Sequence, residues 1–256
     1  QVTIYDGDDP AMPMWMVFNS GNGGLLYGGP RAVVMKDSLL VVGLSAAAGQ
    51  CSFTSDEYFF RNSNGNKWNT NNTINRNKAG GPYSMGLVER ILAGNVNDIA
   101  MTVLPNAPID SATGLPIPTI AVATAGGVSV IKDDGSVVDI VPTDTYKNTR
   151  SIAFTDDDEV VFNWASPSGT DSRYVHVYDI PTADVSSGAV GYQKGAAKRF
   201  YSSRIESPSD LRIVPHHAQV RVISNEVIGS TFGLNLQDEN LTTPSKGSVA
   251  HITSDY

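Results

Sequence analysis

Residues Ile117–Pro142, IPTIAVATAGGVSVIKDDGSVVDIVP, decide how the rest of the chain is read. They hold three short β-branched runs, Thr119–Thr124, Val128–Lys132 and Val137–Val141. Gly126-Gly127 separates the first two runs, and Asp133-Asp134-Gly135 separates the second and third. Glycine accepts positive φ at little cost, and aspartate bonds to its own backbone, so both breaks are tight-turn signals. The spacing predicts a three-stranded antiparallel meander, and similar units recur on either side.

Towards the N-terminus, Val2–Tyr5 reads as a strand, followed by an acidic turn at Asp6–Pro10. Met14–Phe18 (MWMVF) is short, apolar and bounded by turn residues, and so is expected to be a fully buried strand continued by Leu25–Tyr27. Arg31–Met35 and Leu39–Leu44 form a pair, with Ser52–Phe60 as an outer strand. Asn62–Lys78 changes character: it carries eight asparagines, with Trp68 as its sole aromatic ring. It reads as a long exposed loop or a distorted outer hairpin. As a recognition loop it would offer Trp68, Asn66 and Asn69 as the candidate ligand-binding residues. Ser84–Leu92 fits either a short helix or a strand.

Asp98–Leu104 is strand-like and leads into the proline-rich Pro105–Pro118, a protruding hairpin tip or loop. Beyond the organising stretch, Ser151–Phe154, Val160–Trp164 and Tyr174–Ile180 form a second unit, with Phe200–Ser202 at its edge. A third unit comprises Leu211–Val214, Gln219–Ile223, Val227–Leu236 and Val249–Thr253. The units begin near Arg31, Asp98, Arg150 and Leu211, and units of several short strands recurring at intervals of this order are what propeller blades show. Strands such as MWMVF and EVVFNW are apolar on both sides, and radial stacking covers both faces. The expected fold is all-β, a single β-propeller-like domain of about five blades spanning 1–256. A β-sandwich or other multi-sheet β fold is the alternative. Val2–Tyr5 and Val249–Thr253 are expected to close the ring by pairing. Both termini read as strands, which suggests a piece of a longer polypeptide.

Composition narrows the function classes. At 256 residues, 41% apolar and 17% charged, the chain buries a sizeable core and lacks the signature of disorder or of a helical bundle. A net charge of −8 with scattered basic residues disfavours nucleic-acid binding. The densest basic patch, Lys194, Lys198, Arg199 and Arg204, is too small to change that. No apolar run approaches the ~18 residues of a membrane span, so no membrane insertion is expected. Cys51 is the sole cysteine and reads as a small buried hydrophobe.

The candidate catalytic and metal motifs fail on spacing or setting. Asp156-Asp157-Asp158-Glu159 lacks the alternating spacing of a calcium loop and reads as solvated turn residues. His216-His217 are adjacent, so on a strand they face opposite ways. His176 lies within the alternating YVHVY strand and reads as a packed histidine. Neither Gly126-Gly127 nor Gly80-Gly81 belongs to a phosphate-binding pattern. Trp15 and Trp164, inside apolar strands, read as core residues. No metal, cofactor or catalytic set is assigned, and no enzymatic activity is expected.

The run Asn95–Ile140, NVNDIAMTVLPNAPIDSATGLPIPTIAVATAGGVSVIKDDGSVVDI, resembles a segment of large tail-associated or fibre-like virion proteins of tailed bacteriophages, particularly phages of marine bacteria. Asp9–Asn19 (DPAMPMWMVFN) and Val249–Tyr256 (VAHITSDY) agree with it, whereas Asn62–Lys78 and Val185–Ser209 match less well. In relatives the last strand is followed by further modules, some resembling carbohydrate-binding sandwiches. The resemblance implies a non-enzymatic structural protein located in the virion, in its tail or fibre, that contributes to host-surface contact. Its partners would be other virion proteins or copies of itself, and a host-surface glycan. A carbohydrate-binding module of a receptor-binding protein is the alternative, with a polysaccharide depolymerase behind it. The residues that transfer are turn-formers: Gly126, Gly127, Asp133, Asp134 and Gly135. Ala125 departs from the family's usual polar residue before the two glycines.

Overall fold

The computed structural model describes residues 1–19, 26, 28–69, 77, 84–87, 89–111, 113–142, 147–155, 157–165, 173–187, 199–203, 212–216, 219–228, 231–234 and 252–253. Of these, backbone alone is described for 66–69, 84–87, 165, 173–175, 187 and all those from 199 onward. All the regular structure described is β-strand, arranged in five separate sheets.

The organising stretch folds as its turns dictate. Strands β10 (Thr119–Thr124), β11 (Gly127–Ile131) and β12 (Val137–Pro142) form an antiparallel meander, with β9 (Val96–Thr102) on the inner side of β10. Gly127 sits at φ +130, and a Cβ there would lie 2.5 Å from the Ile140 carbonyl oxygen, so only glycine fits. The second turn closes through Gly135 N–H donating to Lys132 O (2.9 Å) and Ser136 N–H donating to Asp134 Oδ1 (2.8 Å).

The N-terminal hairpin pairs β1 (Val2–Tyr5) with β2 (Met14–Phe18). The next sheet runs in chain order through β3 (Pro30–Lys36), β4 (Leu39–Leu44), β5 (Ala48–Ser52), β6 (Glu57–Arg61), β7 (Asn66–Asn69) and β8 (Ser84–Leu87). After the β9–β12 sheet come β13 (Asn148–Phe154), β14 (Glu159–Ala165) and β15 (Arg173–Asp179), with β17 (Arg199–Ser203) at the edge. Between β15 and β17 the chain returns to the preceding sheet. There β16 (Val185–Ser187) lies parallel to β12, pairing Ile140 with Val185. The last sheet holds β18 (Arg212–His216), β19 (Gln219–Ile228), β20 (Thr231–Leu234) and β21 (Ile252–Thr253).

Alternating side chains of one strand enter two different cores. In β4, Leu40 and Val42 pack against Val2 and Phe18 of the hairpin, while Val41 faces Ile99, Ile120 and Val122 of the next sheet. In β10, Ile120 and Val122 face back to β4, while Ala121 and Ala123 face Phe154, Phe162 and Trp164. The β3–β8 and β9–β12 sheets are therefore each covered by the sheet before and the sheet after. The first strands also neighbour one another in sequence, β3 with β9, β9 with β13 and β13 with β18. First strands gathered together with sheets fanning outward make the architecture all-β and propeller-like. Two sheets face to face would give each sheet only one covered face.

Several expectations are corrected. MWMVF is not fully buried: Met14 is 61% and Trp15 55% exposed, because the two-stranded sheet is covered on one face only. Trp15 rests against Phe53 with ring centroids 5.2 Å apart instead of entering a core. Ser52–Phe60 is not one strand; it breaks at Phe53–Asp56, where Ser55 N–H donates to Ser52 Oγ (3.2 Å) and Asp56 takes φ +55. The described ends do not pair with each other: β1 pairs with β2 and β21 with β20. The local hairpin wins at the N-terminus, held by Asp6 N–H donating to Pro13 O (2.9 Å) and by Asp6 and Asp9 carboxylates accepting from Asp8 and Ala11 N–H. Glu159 is not a solvated turn residue but a buried one, whose N–H donates to Thr155 Oγ1 at 3.1 Å.

A candidate ligand site at one end of the inner strands

Three inner strands carry the same irregularity at the same place. In β3, Pro30 pairs with Leu44 and Ala32 with Gly43, which leaves Arg31 as an extra residue. In β9, Val96 pairs with Thr124 and Asp98 with Ala123, which leaves Asn97. In β13, Thr149 pairs with Trp164 and Ser151 with Asn163, which leaves Arg150. Each is a β-bulge near the strand's N-terminal end, a device that frees one residue from the ladder and re-aims its side chain. The freed Ser151 N–H donates to Asn163 Oδ1 at 2.8 Å.

Hydrogen bonds join the three bulges across sheets. Arg31 Nη1 donates to Asn97 Oδ1 (3.3 Å), and Asn97 Nδ2 donates to Asn148 Oδ1 and to the Thr149 carbonyl oxygen (both 2.7 Å). Next to them Asp98 Oδ2 accepts from Ser151 Oγ (3.1 Å) and from Ile152 N–H (3.0 Å). Arg31 is exposed, and Asn97, Asn148 and Arg150 are half-buried. The first strand of the last sheet also begins with an arginine, Arg212. At the other end of the inner strands the connections carry acids instead: Asp37 after β3, Asp110 after β9, and Asp157 and Asp158 after β13.

The residues singled out from the asparagine-rich stretch lie elsewhere. Asn66, Trp68 and Asn69 fall on β7, paired with Leu87, Met85 and Ser84. Their side chains lie outside the described residues. Strand β7 is four strands out from β3, roughly 19 Å at the usual strand spacing, so the structure does not bring them to the inner end. Asn77, from the same stretch, binds β2: its Oδ1 accepts from Asn19 N–H (2.6 Å) and its Nδ2 donates to Val17 O (2.8 Å). The bulges escaped sequence reading, although their positions coincide with unit starts. The available signal was a polar residue interrupting each unit's opening, as in Pro30-Arg31-Ala32 and Thr149-Arg150-Ser151.

The most perturbed ionisable groups belong to the packing within and between sheets. Residues Glu89–Asn95 run from the outer edge of one sheet back to the inner strand of the next, across the groove between them. Arg61, on β6, is buried and donates to Glu89 O (3.1 Å) and Gly135 O (3.2 Å); burial lowers its pKa, and Glu89 partly offsets that. The Glu89 carboxylate accepts from Val137 N–H. Leu92 N–H donates to Ser129 Oγ (2.9 Å), which donates to Asp139 Oδ1 at 2.6 Å. Burial raises the Asp139 pKa, the Ser129 hydrogen bond opposes the rise, and neighbouring Asp184 adds to it. His176 stacks on Phe162 (5.5 Å, 8°) and touches Trp164 (4.2 Å); burial lowers its pKa to about 3, so it is neutral at ordinary pH. It is the packed histidine expected from YVHVY. Cys51 is buried beside Leu40 and Tyr58, as expected of a small hydrophobe. Among the described residues no three His, Cys, Asp or Glu side chains converge as a metal site.

No family model matches the chain, and no curated protein matches it. Among solved structures it is similar to the computationally designed Ika4 protein, at 12% identity and TM-score 0.42, covering 77% of this chain and 86% of that one. It is also similar to the WD40 domain of Neurospora crassa Pan2, at 13% identity and TM-score 0.34, covering 77% and 63%. A third is virginiamycin B lyase from Staphylococcus aureus, at 11% identity and TM-score 0.24, covering 76% and 91%. With scores this low, the propeller-like arrangement stands on its own sheet order and inter-sheet packing.

Proposed function

We propose that this chain is a non-catalytic recognition and scaffolding module of a phage virion, tail- or fibre-associated, that contributes to host-surface contact. The virion assignment is supported by the resemblance of Asn95–Ile140 alone. The recognition role is supported by one structural observation, the bulge-borne group Arg31, Asn97 and Asn148, held from strand to strand at one end of the inner strands. Side chains fixed on rigid strands can bind a ligand without a loop having to order first. The buried ionisable groups are occupied in structure, Arg61 joining two sheets and Asp139 and His176 packed within theirs, which suits a scaffold.

Two measurements test this. Peptide mass spectrometry of purified phage particles is expected to find the chain in the virion, and its absence from particles would remove the assignment. Incubation with host-surface polysaccharide is expected to release no new reducing ends. A steady release would instead make the chain a depolymerase.

A further inference from the structure

We propose that Asp139 is a proton-operated latch for β16, the strand that leaves its own sheet to lie along β12. With the Asp139 carboxyl protonated β16 stays docked, and with it ionised β16 loosens. One residue touches all the pieces that meet there. Asp139 N–H donates to Asp184 Oδ1 (2.9 Å), at the entry to β16. Its own Oδ1 accepts from Ser129 Oγ (2.6 Å) on β11, and that hydroxyl accepts from Leu92 N–H (2.9 Å) of the connection across the groove. Asp139 is buried, whereas Asp184 is exposed.

The charges around the carboxyl decide which piece lets go. The connection brings Glu89, whose carboxylate is held by Val137 N–H, and also Arg90, so an ionised Asp139 meets attraction as well as repulsion there. The segment entering β16 acts on it through a like charge, Asp184. The other nearby cations bind carbonyl oxygens, Lys132 that of Thr182 (3.4 Å) and Arg61 that of Glu89 (3.1 Å). Burial raises the Asp139 pKa, the Ser129 hydrogen bond opposes the rise, Asp184 adds to it, Arg90 opposes it and Glu89 adds to it. Undocking β16 takes the Asp184 charge away, so the docked state holds the Asp139 proton more tightly than the open one. Docking is therefore complete below the ordinary carboxylate value of 3.8 and weakens as pH rises through the raised one. Ile180 and Val185 on this segment pack against the core shared with β13–β15, so the latch sets how firmly the two sheets are joined.

The test is hydrogen exchange, read by peptide mass spectrometry, on the full chain from about pH 4 to about pH 8, corrected for the intrinsic pH dependence of exchange. Protection over residues 182–187 is expected to fall by at least about threefold across that range, and by less at high salt, which screens the exposed Asp184. Asp139→Asn keeps an acceptor for Ser129, and Asp184→Asn keeps one for Asp139 N–H. Each should hold the protection at its acid level throughout. NMR titration of the Asp139 carboxyl carbon in Asp184→Asn should give a midpoint below that of the wild type, which a merely structural role for Asp184 would not move. Asp157→Asn, in the exposed turn after β13, should change nothing. Thermal melts of each variant confirm folding.

Wild-type protection of residues 182–187 that stays level with pH would overturn the latch, as would an unchanged slope in both variants. A fall confined to residues 89–95 would overturn the choice of β16 and make the connection the part that the carboxylate displaces. Protection lost from β9–β12 and β13–β15 together with β16 would mean global unfolding and would overturn a local latch.

Discussion

The two central interfaces, on either face of the β9–β12 sheet, hold their neighbours by different means. Towards β13–β17 the contact is rings against alanines and branched aliphatic residues: Phe162, Trp164 and Tyr178 share a core with Ala100, Ala121, Ala123, Val128 and Val130. Towards β3–β8 the core is aliphatic, and its outer part is filled by Glu89–Asn95, with Arg61 and Ser129 bonded to it and Asp139 bonded to Ser129. Where the connection crosses between sheets, its own N–H and C=O groups need partners, so polar side chains must be buried with it. In the other interface the described residues fill the space with aromatic area. Outer radius can thus be filled with rings or with backbone, and the backbone solution requires a polar network.

The largest expected effect tests the aromatic side. Phe162→Ala removes the ring that contacts Trp164, His176 and Tyr178, and should destabilise by about 3–5 kcal/mol in denaturant unfolding. A loss below about 1 kcal/mol would show that the sheets are held elsewhere. Next comes acid sensitivity. His176 has a folded pKa lowered to about 3 from 6.5, so the unfolded chain takes up its proton first. Its contribution is complete above about pH 6.5 and is lost as pH falls towards 3, at up to ~1.4 kcal/mol per pH unit. His176→Phe should flatten that part of a stability–pH profile, and an unchanged slope would refute the assignment.

The smallest effect belongs to the polar side and has the opposite sign. Burial raises the Asp139 pKa, so its contribution is complete below the ordinary carboxylate value of 3.8 and is lost as pH rises through the raised one. Asp139→Asn keeps an acceptor for Ser129 and should raise Tm by ~1–3 °C at pH 8, with the gain vanishing near pH 3.5. A variant that melts lower at pH 8 would show that the charge is needed, through Arg90.

The comparison also explains what was legible in the sequence. Thr119–Thr124 was readable to the residue because Gly126-Gly127 and Asp133-Asp134-Gly135 set their turns locally. Apolar character on both faces of EVVFNW agrees with β14, where Glu159–Trp164 are all buried. It misled for Met14–Phe18, since an apolar run cannot report how many sheets cover it. Glu159 looked solvated because its three preceding acids mark a turn, whereas its own position is the first of a buried strand. The bulges at Arg31, Asn97 and Arg150 were illegible for a different reason. A bulge is a property of register, defined only against the partner strand.

Strand β16 belongs by sequence to one sheet and by hydrogen bonding to its neighbour. Its approach is secured as well, by Asp139 N–H donating to Asp184 Oδ1 (2.9 Å) and Lys132 Nζ donating to Thr182 O (3.4 Å). Neighbouring sheets that meet only through side chains can be peeled apart one contact at a time. These two are laced, and prising them open means shearing a row of backbone bonds together. For a module under mechanical load, that seam would be the last to tear.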